Sequence, residues 1–224
     1  MLNRTKYKNS TRDFVYEALR DAIVSLELPP GATISEKEIS EELEVSRTPV
    51  REAFLRLTED ELLTVLPQRG SYISLIDLDH VEDARFLREQ AEAGIIRLAC
   101  ESFSDSYIEK LEKNLKYQRF ARDNDDENEL FILDKAFHRL IAEGSSKSRV
   151  WEVIQKVDTH SNRLRKLSLA MKLNWKKLVD QHEEMLSAIK AKDSDLAEKL
   201  MRNHLALLIY DQKALKESYP DYFK

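Results

Sequence analysis

Asp134 and His138 stand four residues apart, so on a helix both project from one face, which Phe131 and Ile141 extend. His182 falls among Leu178, Val179, Met185, Leu186 and Ile189, and His204 among Ala197, Leu200, Met201 and Leu208, both apolar stripes at helical spacing. The two imidazoles therefore point inward. Three imidazoles and one carboxylate converging in a helical interior make a donor set for a divalent first-row metal, the nitrogens suiting Zn, Ni, Fe or Cu and the oxygen keeping Mn open. Taken singly, each histidine reads more readily as a satisfied core residue than as a ligand, and Asp134 with His138 as a helix-face pair. The set of four is what suggests a metal. His160, midway between His138 and His182, is expected to line the pocket without ligating, and His80 to cap a helix or lie at the surface.

A second constellation lies nearer the start of the chain, in Val45-Ser46-Arg47-Thr48-Pro49-Val50-Arg51-Glu52-Ala53-Phe54. Ser46 is placed to cap a helix, its hydroxyl accepting from the Thr48 N–H, and Pro49 falls in the first turn, where a missing N–H breaks no helical bond. Val50, Phe54 and Leu57 then share an apolar stripe, with Arg47, Thr48 and Arg51 on the flank beside it. Arginine suits bidentate contact with a guanine edge or a phosphate, and threonine can donate to phosphate or touch a thymine methyl. The chemistry implied is the reading of a DNA groove.

These side chains need elements to position them. Ser35-Glu36-Lys37-Glu38 has the form of a capping box opening a short helix whose Ile39 and Leu43 face inward, and Glu44-Val45 turns the chain into Ser46. The result is a helix-turn-helix. Beyond it, apolar Leu62 to Leu66 and alternating Ser71-Tyr72-Ile73-Ser74-Leu75 flank Pro67-Gln68-Arg69-Gly70, which predicts a β-hairpin wing offering Arg69 and Gly70 to a phosphate or a minor groove. A first helix is expected at roughly 10–26, ahead of Pro29-Pro30-Gly31. From Ser71 to Tyr219 there are 149 residues without proline, rich in Leu, Ala, Glu and Lys. Helices are expected there near 78–101, 105–123, 127–143, 147–171, 174–191 and 193–217. The expected fold is mainly α: an N-terminal winged helix-turn-helix with a small β-hairpin wing at 1–76, and a C-terminal antiparallel bundle of about six helices at 77–224 for metal, effector and dimer contacts.

Composition narrows the classes open to such a chain. Its 224 residues, 42% hydrophobic, suffice for a proper core. No apolar run approaches the ~20 residues of a membrane span, and Met1-Leu2-Asn3-Arg4-Thr5-Lys6-Tyr7-Lys8 lacks a signal-peptide core, so a cytoplasmic protein with no membrane partner is expected. A single cysteine, Cys100, excludes an internal disulfide or a thiolate zinc cluster and reads as a packed small residue. Net charge is −5, and residues 1–76 hold ten Lys/Arg against thirteen Asp/Glu, so DNA affinity must come from a local patch. Within 46–56, Arg47, Arg51 and Arg56 face Glu52 alone, and Arg4, Lys6 and Lys8 add a basic arm.

The string from Pro30-Gly31 through Ser46-Arg47-Thr48-Pro49-Val50-Arg51-Glu52-Ala53 to Arg69-Gly70, with the spaced set Asp134, His138, His182 and His204, resembles the GntR family of bacterial transcriptional regulators. Within that family the resemblance is to the FadR subfamily, whose effector part is an all-helical FCD domain, and it spans nearly the whole chain. It implies operator contacts by Arg47, Thr48, Arg51 and Gly70, with Lys37 where some relatives carry arginine. It also implies a divalent cation, commonly zinc or nickel, whose coordination a small organic acid completes. Arg85, followed four residues later by Glu89, falls where the family often has an effector-binding arginine, and Arg163 and Arg165 are further pocket candidates. Two departures stand out: Thr58-Glu59-Asp60-Glu61-Leu62 lacks the glycine that usually ends the recognition-helix extension, and Gly144-Ser145-Ser146-Lys147 lacks the usual asparagine.

The leading expectation is a homodimeric regulator, a repressor by preference, that binds a palindromic operator and answers to a small carboxylate held at the metal. A rival reading is a metal-dependent hydrolase or lyase using the His/Asp set, although no HExxH, His-Asp dipeptide or Glu-x-x-His pattern appears. A third is a DNA-free interaction module whose histidines are core residues.

Overall fold

The computed structural model describes residues 10–224, which form two compact units. One ends at Leu78 and also takes in Lys216–Lys224; the other comprises Asp79–Leu215. Membership of the last residues in the first unit has a backbone cause. The Ile76 N–H donates to the Tyr222 carbonyl at 2.7 Å, the Lys224 N–H donates to the Ile76 carbonyl at 3.1 Å, and Lys224 Nζ pairs with Asp77 at 2.9 Å. Pairing across so long a separation leaves no local trace, so a single boundary at 76 misses it. The basic arm of Arg4, Lys6 and Lys8 lies outside the described residues.

In the first unit, helix α1 (Thr11–Val24) begins at Ser10, whose hydroxyl accepts from the Asp13 N–H at 3.3 Å. Strand β1 (Thr33–Ile34), helices α2 (Glu36–Glu42) and α3 (Arg47–Glu59), and strands β2 (Leu63–Leu66) and β3 (Gly70–Ile73) follow. The strands form an antiparallel sheet in the order β1-β3-β2, with Leu63 opposite Ile73 and Leu66 opposite Gly70. The two-residue β1 is too short for alternation to announce it. Leu19, Ile23, Val50, Leu57 and Leu62 fill the core between α1, α3 and the sheet.

The capping box forms at α2: Ser35 Oγ accepts from the Glu38 N–H at 3.2 Å and donates to the Glu38 carboxylate at 2.9 Å. At α3 the expectation fails. Ser46 is the N-cap, but its side chain makes no capping bond. Pro49 at the third helical position has no N–H to offer the hydroxyl, and the expected bond from the Thr48 N–H does not form either. Both helices end in Schellman turns built without glycine. Glu44 (φ 53°) and Glu61 (φ 57°) adopt the left-handed conformation, and the following N–H groups of Val45 and Leu62 reach back to Ser40 and Leu57 at 3.1 and 2.8 Å.

The second unit is built from α4 (Leu78–Glu101), α5 (Asp105–Asp123), α6 (Glu127–Gly144), α7 (Ser148–Val157), α8 (Thr159–Ala170), α9 (Trp175–Ala191), α10 (Ser194–Leu205) and α11 (Leu207–Ser218). Two of the six expected helices are each interrupted once. Asp158 separates α7 from α8 with its carboxylate buried among arginines, and Ala206 separates α10 from α11 while keeping helical dihedrals. Asp126 and Asp193 cap α6 and α10, accepting from the third N–H of each helix at 2.9 and 3.0 Å. Ile96, Leu111, Phe137, Met185 and Met201 anchor the core, and Cys100 is packed among them. Gly144 lets Phe103 approach the backbone, since a Cβ there would sit 2.3 Å from its ring.

Candidate functional site

Helix α6 carries Asp134 and His138, α9 carries His182 and α10 carries His204, and the bundle brings all four donor atoms within 4.8 Å of one another. His204 Nε2 lies 3.1 Å from His138 Nε2 and 3.3 Å from His182 Nε2, while Asp134 Oδ1 is 3.7–3.9 Å from the three imidazoles. Ligands about 2.0–2.1 Å from a tetrahedral zinc are separated by roughly 3.3 Å, so the spacing suits a small cation.

The surrounding hydrogen bonds fix which ring nitrogens face inward. Asn114 Nδ2 donates to the Leu133 carbonyl at 3.0 Å, leaving its Oδ1 to accept from Gln118 Nε2 at 2.6 Å. Gln118 Oε1 then accepts from His182 Nδ1–H at 2.8 Å. The ionised Glu92 can only accept from His138 Nδ1–H, and Gln181 Oε1 accepts from His204 Nδ1–H at 3.3 Å. Each imidazole thus commits its Nδ1–H to a support and points its Nε2 at its neighbours, and in His182 and His204 that Nε2 is a bare lone pair. Asp134 Oδ1 has no hydrogen-bond partner although it is buried. Lone pairs packed against lone pairs, beside an orphaned carboxylate oxygen, fit a cation at their centre.

Electrostatics prepare the same donors. Burial drives the His182 imidazole down to about 3 and that of His204 well below its ordinary value, so both stay neutral. Burial raises the Asp134 carboxyl, but the Arg165 guanidinium, with Arg88 adding to it, outweighs that effect and holds the group ionised.

Next to this set lies a cavity of about 60 Å³, room for several water-sized groups, lined by Asp134 and His204, by Arg85, Arg88 and Arg165, and by leucines. Arg165 donates to Asp134 Oδ2 at 2.7 Å and Asp158 at 3.0 Å; Arg88 pairs with Glu92 at 2.6 Å and Asp158 at 3.4 Å. Arg85 lines the cavity with its guanidinium held by Glu82 and Glu89. His160 and Arg163 are not brought there. Ser161, Arg165 and Ser168 mark the cavity face of α8, whereas His160 and Arg163 point about 100–160° around the helix. There Arg163 Nη2 sits 3.0 Å from His160 Nδ1, and the His160 ring packs 5.0 Å from that of His80, half-buried in the first turn of α4.

In the first unit, Lys37, Arg47, Thr48, Arg51, Arg69 and Gly70 are all exposed. Val50, Ala53, Phe54 and Leu57 bury the opposite face of α3. No acid pairs with Arg47, Arg51 or Arg69 among the described residues, while Lys37 lies 3.9 Å from Glu41. Arg56 behaves otherwise: it bonds Asp13 at 3.0 Å and lies 3.8 Å over the Tyr16 ring, fastening α3 to α1. The groove-reading patch therefore loses one of its three arginines. Gly70 opens β3 at φ 105°, a conformation that glycine tolerates, and the Tyr72 hydroxyl donates to the Arg69 carbonyl at 2.7 Å to hold the wing turn.

Residues 11–73 match the bacterial regulatory proteins of the gntR family, and residues 83–207 match the FCD domain. The chain is 33% identical over 209 residues to the HTH-type transcriptional repressor RspR of Escherichia coli K12, covering 93% of this chain and 92% of that protein. The chain belongs to the GntR family. It is a transcriptional regulator with an N-terminal helix-turn-helix domain and a C-terminal FCD domain, and regulators of this family bind DNA rather than catalyse, which sets aside the hydrolase reading. Another relative, an HTH-type transcriptional regulator from an unstable DNA locus of Streptomyces ambofaciens, is 34% identical over 98% of this chain and 92% of its own length. The solved structure of E. coli McbR/YncC shares the fold with a TM-score of 0.78 at 21% identity, covering 94% of this chain and 99% of that one.

For this GntR regulator, the inward stripes were enough to pick out the four side chains that the bundle brings together as candidate metal donors. Glu92, Gln118 and Gln181, which orient the imidazoles, and Arg88 and Asp158, which complete the charge network, were missed. One signal was available: Arg88 and Glu92 repeat, three residues on, the Arg85–Glu89 spacing.

Proposed function

We propose that this GntR protein is a homodimeric cytoplasmic repressor that reads a palindromic operator through Arg47, Thr48 and Arg51 of α3, with Lys37 and the wing residues Arg69 and Gly70 on the phosphates or minor groove. The observation that carries the DNA reading is the exposure of Arg47, Arg51 and Arg69 without an acidic partner in a net-acidic unit. Two-fold symmetry follows from reading two half-sites. The repressor named RspR, a third identical along nearly the whole chain, supports the sign of regulation.

In the bundle, Asp134, His138, His182 and His204 would hold a divalent metal, zinc before nickel or manganese. Such an ion supplies open coordination positions for the carboxylate of a small organic acid. Arg88 and Arg165, with Arg85 at the rim of the same cavity, add the cationic surface that draws the acid in. The acid alters DNA affinity by the difference in its affinity for the two arrangements of the dimer.

Gel-shift titration on an operator recovered from genomic fragments, with metal analysis of the untagged protein, tests both halves. Arg51→Ala is expected to lose operator binding at unchanged metal content. His204→Ala is expected to lose metal and effector response while still binding DNA. Operator binding retained by Arg51→Ala, or full metal retained by His204→Ala, overturns the corresponding assignment.

A further inference from the structure

The cavity arginines are matched to acids: Arg85 to Glu82 and Glu89, Arg88 to Glu92 and Asp158, Arg165 to Asp134 and Asp158. Asp211, on α11, breaks this pattern. It lines the same cavity at 6% exposure, and its carboxylate accepts from the Ser168 hydroxyl at 2.5 Å and from Asn174 Nδ2 at 2.6 Å, both neutral donors. Among the described residues no lysine or arginine forms an ion pair with it, although the charge of Lys177 acts on it from beyond that distance. A buried carboxylate ordinarily has a charged partner, and two neutral donors leave part of its acceptor capacity unused.

The walls around it argue for what is missing. Leu169, Leu173, Leu178 and Leu208 surround the polar groups with hydrocarbon. A short chain with one cationic end would meet the leucines along its length and Asp211 at its tip. Ser168, which holds Asp211, lies three residues from Arg165 on α8, so the two side chains that anchor the anionic and cationic poles leave the helix about one turn apart, roughly 5 Å along its axis. Burial raises the Asp211 carboxyl, a cost that a bound ammonium would relieve.

We propose that the cavity selects a small aminocarboxylate, whose ammonium group donates to Asp211 while its carboxylate lies against Arg88, Arg165 and the metal donors. This rests on the cavity being an organic-acid site and adds the chemical class of the acid. Asp211 is then the residue that decides specificity.

The test uses the full-length zinc-loaded protein and straight-chain acids of two to six carbons in matched sets, terminal amino against terminal methyl and terminal hydroxyl, read by thermal shift and calorimetry. In at least one set the amino acid is expected to bind about tenfold or more tightly than both partners, the yield of one charge-assisted hydrogen bond. Asp211→Asn is expected to erase that ratio while leaving the methyl-terminated acid's affinity unchanged. Carboxylates that bind with no amino preference overturn this inference alone, as does an amino preference that survives Asp211→Asn. Binding of no carboxylate in any set overturns the organic-acid reading with it. The comparison among ligands is made on the unsubstituted protein, so it decides the matter even where Asp211→Asn does not fold.

Discussion

Arginines are used in opposite ways in the two units. On α3, Arg47 and Arg51 stand exposed and unpaired by acids, held in place by the apolar face behind them. In the bundle, Arg88 is 3% exposed and makes ion pairs with two carboxylates. The exposed pair stays solvated until a partner replaces the water, so its worth to the isolated fold is small. The buried one is already part of the fold, and removing either partner strands a charge. A side chain that waits for a partner can therefore be changed without harming the protein, while one that prepares a pocket cannot.

The sharpest way to break that contrast is Arg88→Ala, which leaves Glu92 and Asp158 buried with one cation fewer. A loss of about 3–5 kcal/mol is expected, seen as a drop of roughly 10 °C in the melting temperature of the bundle. Arg51→Ala, by contrast, is expected to move stability by less than about 0.5 kcal/mol while costing operator affinity. Equal destabilisation by the two would erase the distinction.

Gln118→Met sharpens it further. The change keeps the volume and removes the acceptor for His182 Nδ1–H, so zinc affinity measured against a competing chelator is expected to fall about 10- to 100-fold. Unchanged affinity would mean that packing against Phe137, stacked 4.1 Å from the His182 ring, orients the imidazole unaided. The smallest effect expected is a gain: Glu61→Gly removes a left-handed non-glycine residue from the Schellman turn after α3 and should stabilise the first unit by about 1 kcal/mol in urea unfolding.

What the sequence disclosed follows the same divide. The helix-turn-helix is local: the capping box, the apolar stripe and the wing break each lie within a few residues, so their positions could be read directly. The candidate metal donors were legible because a histidine on an apolar stripe stands out. Their supports were not, since Glu92, Gln118 and Gln181 come from other helices or look like solvated polar residues. Helix α8 is the extreme case. Thr-His-Ser-Asn-Arg-Leu-Arg-Lys has no apolar face, yet nearly all of it is buried, with Arg165 and Ser168 held by carboxylates and several of its side chains lining the cavity. Periodicity ranks residues by hydrophobicity and is blind to polar groups satisfied by one another.

The backbone bonds joining Ile76 to Tyr222 and Lys224 also have a meaning in time. At ribosomal speeds the segment from Ile76 to Tyr222 takes on the order of ten seconds to make. Through that interval the nascent DNA-reading unit lacks the segment that closes its last residues. A chain that stalls inside the bundle never acquires that closure, so the finished form of the first unit carries a record that the helices between were synthesised.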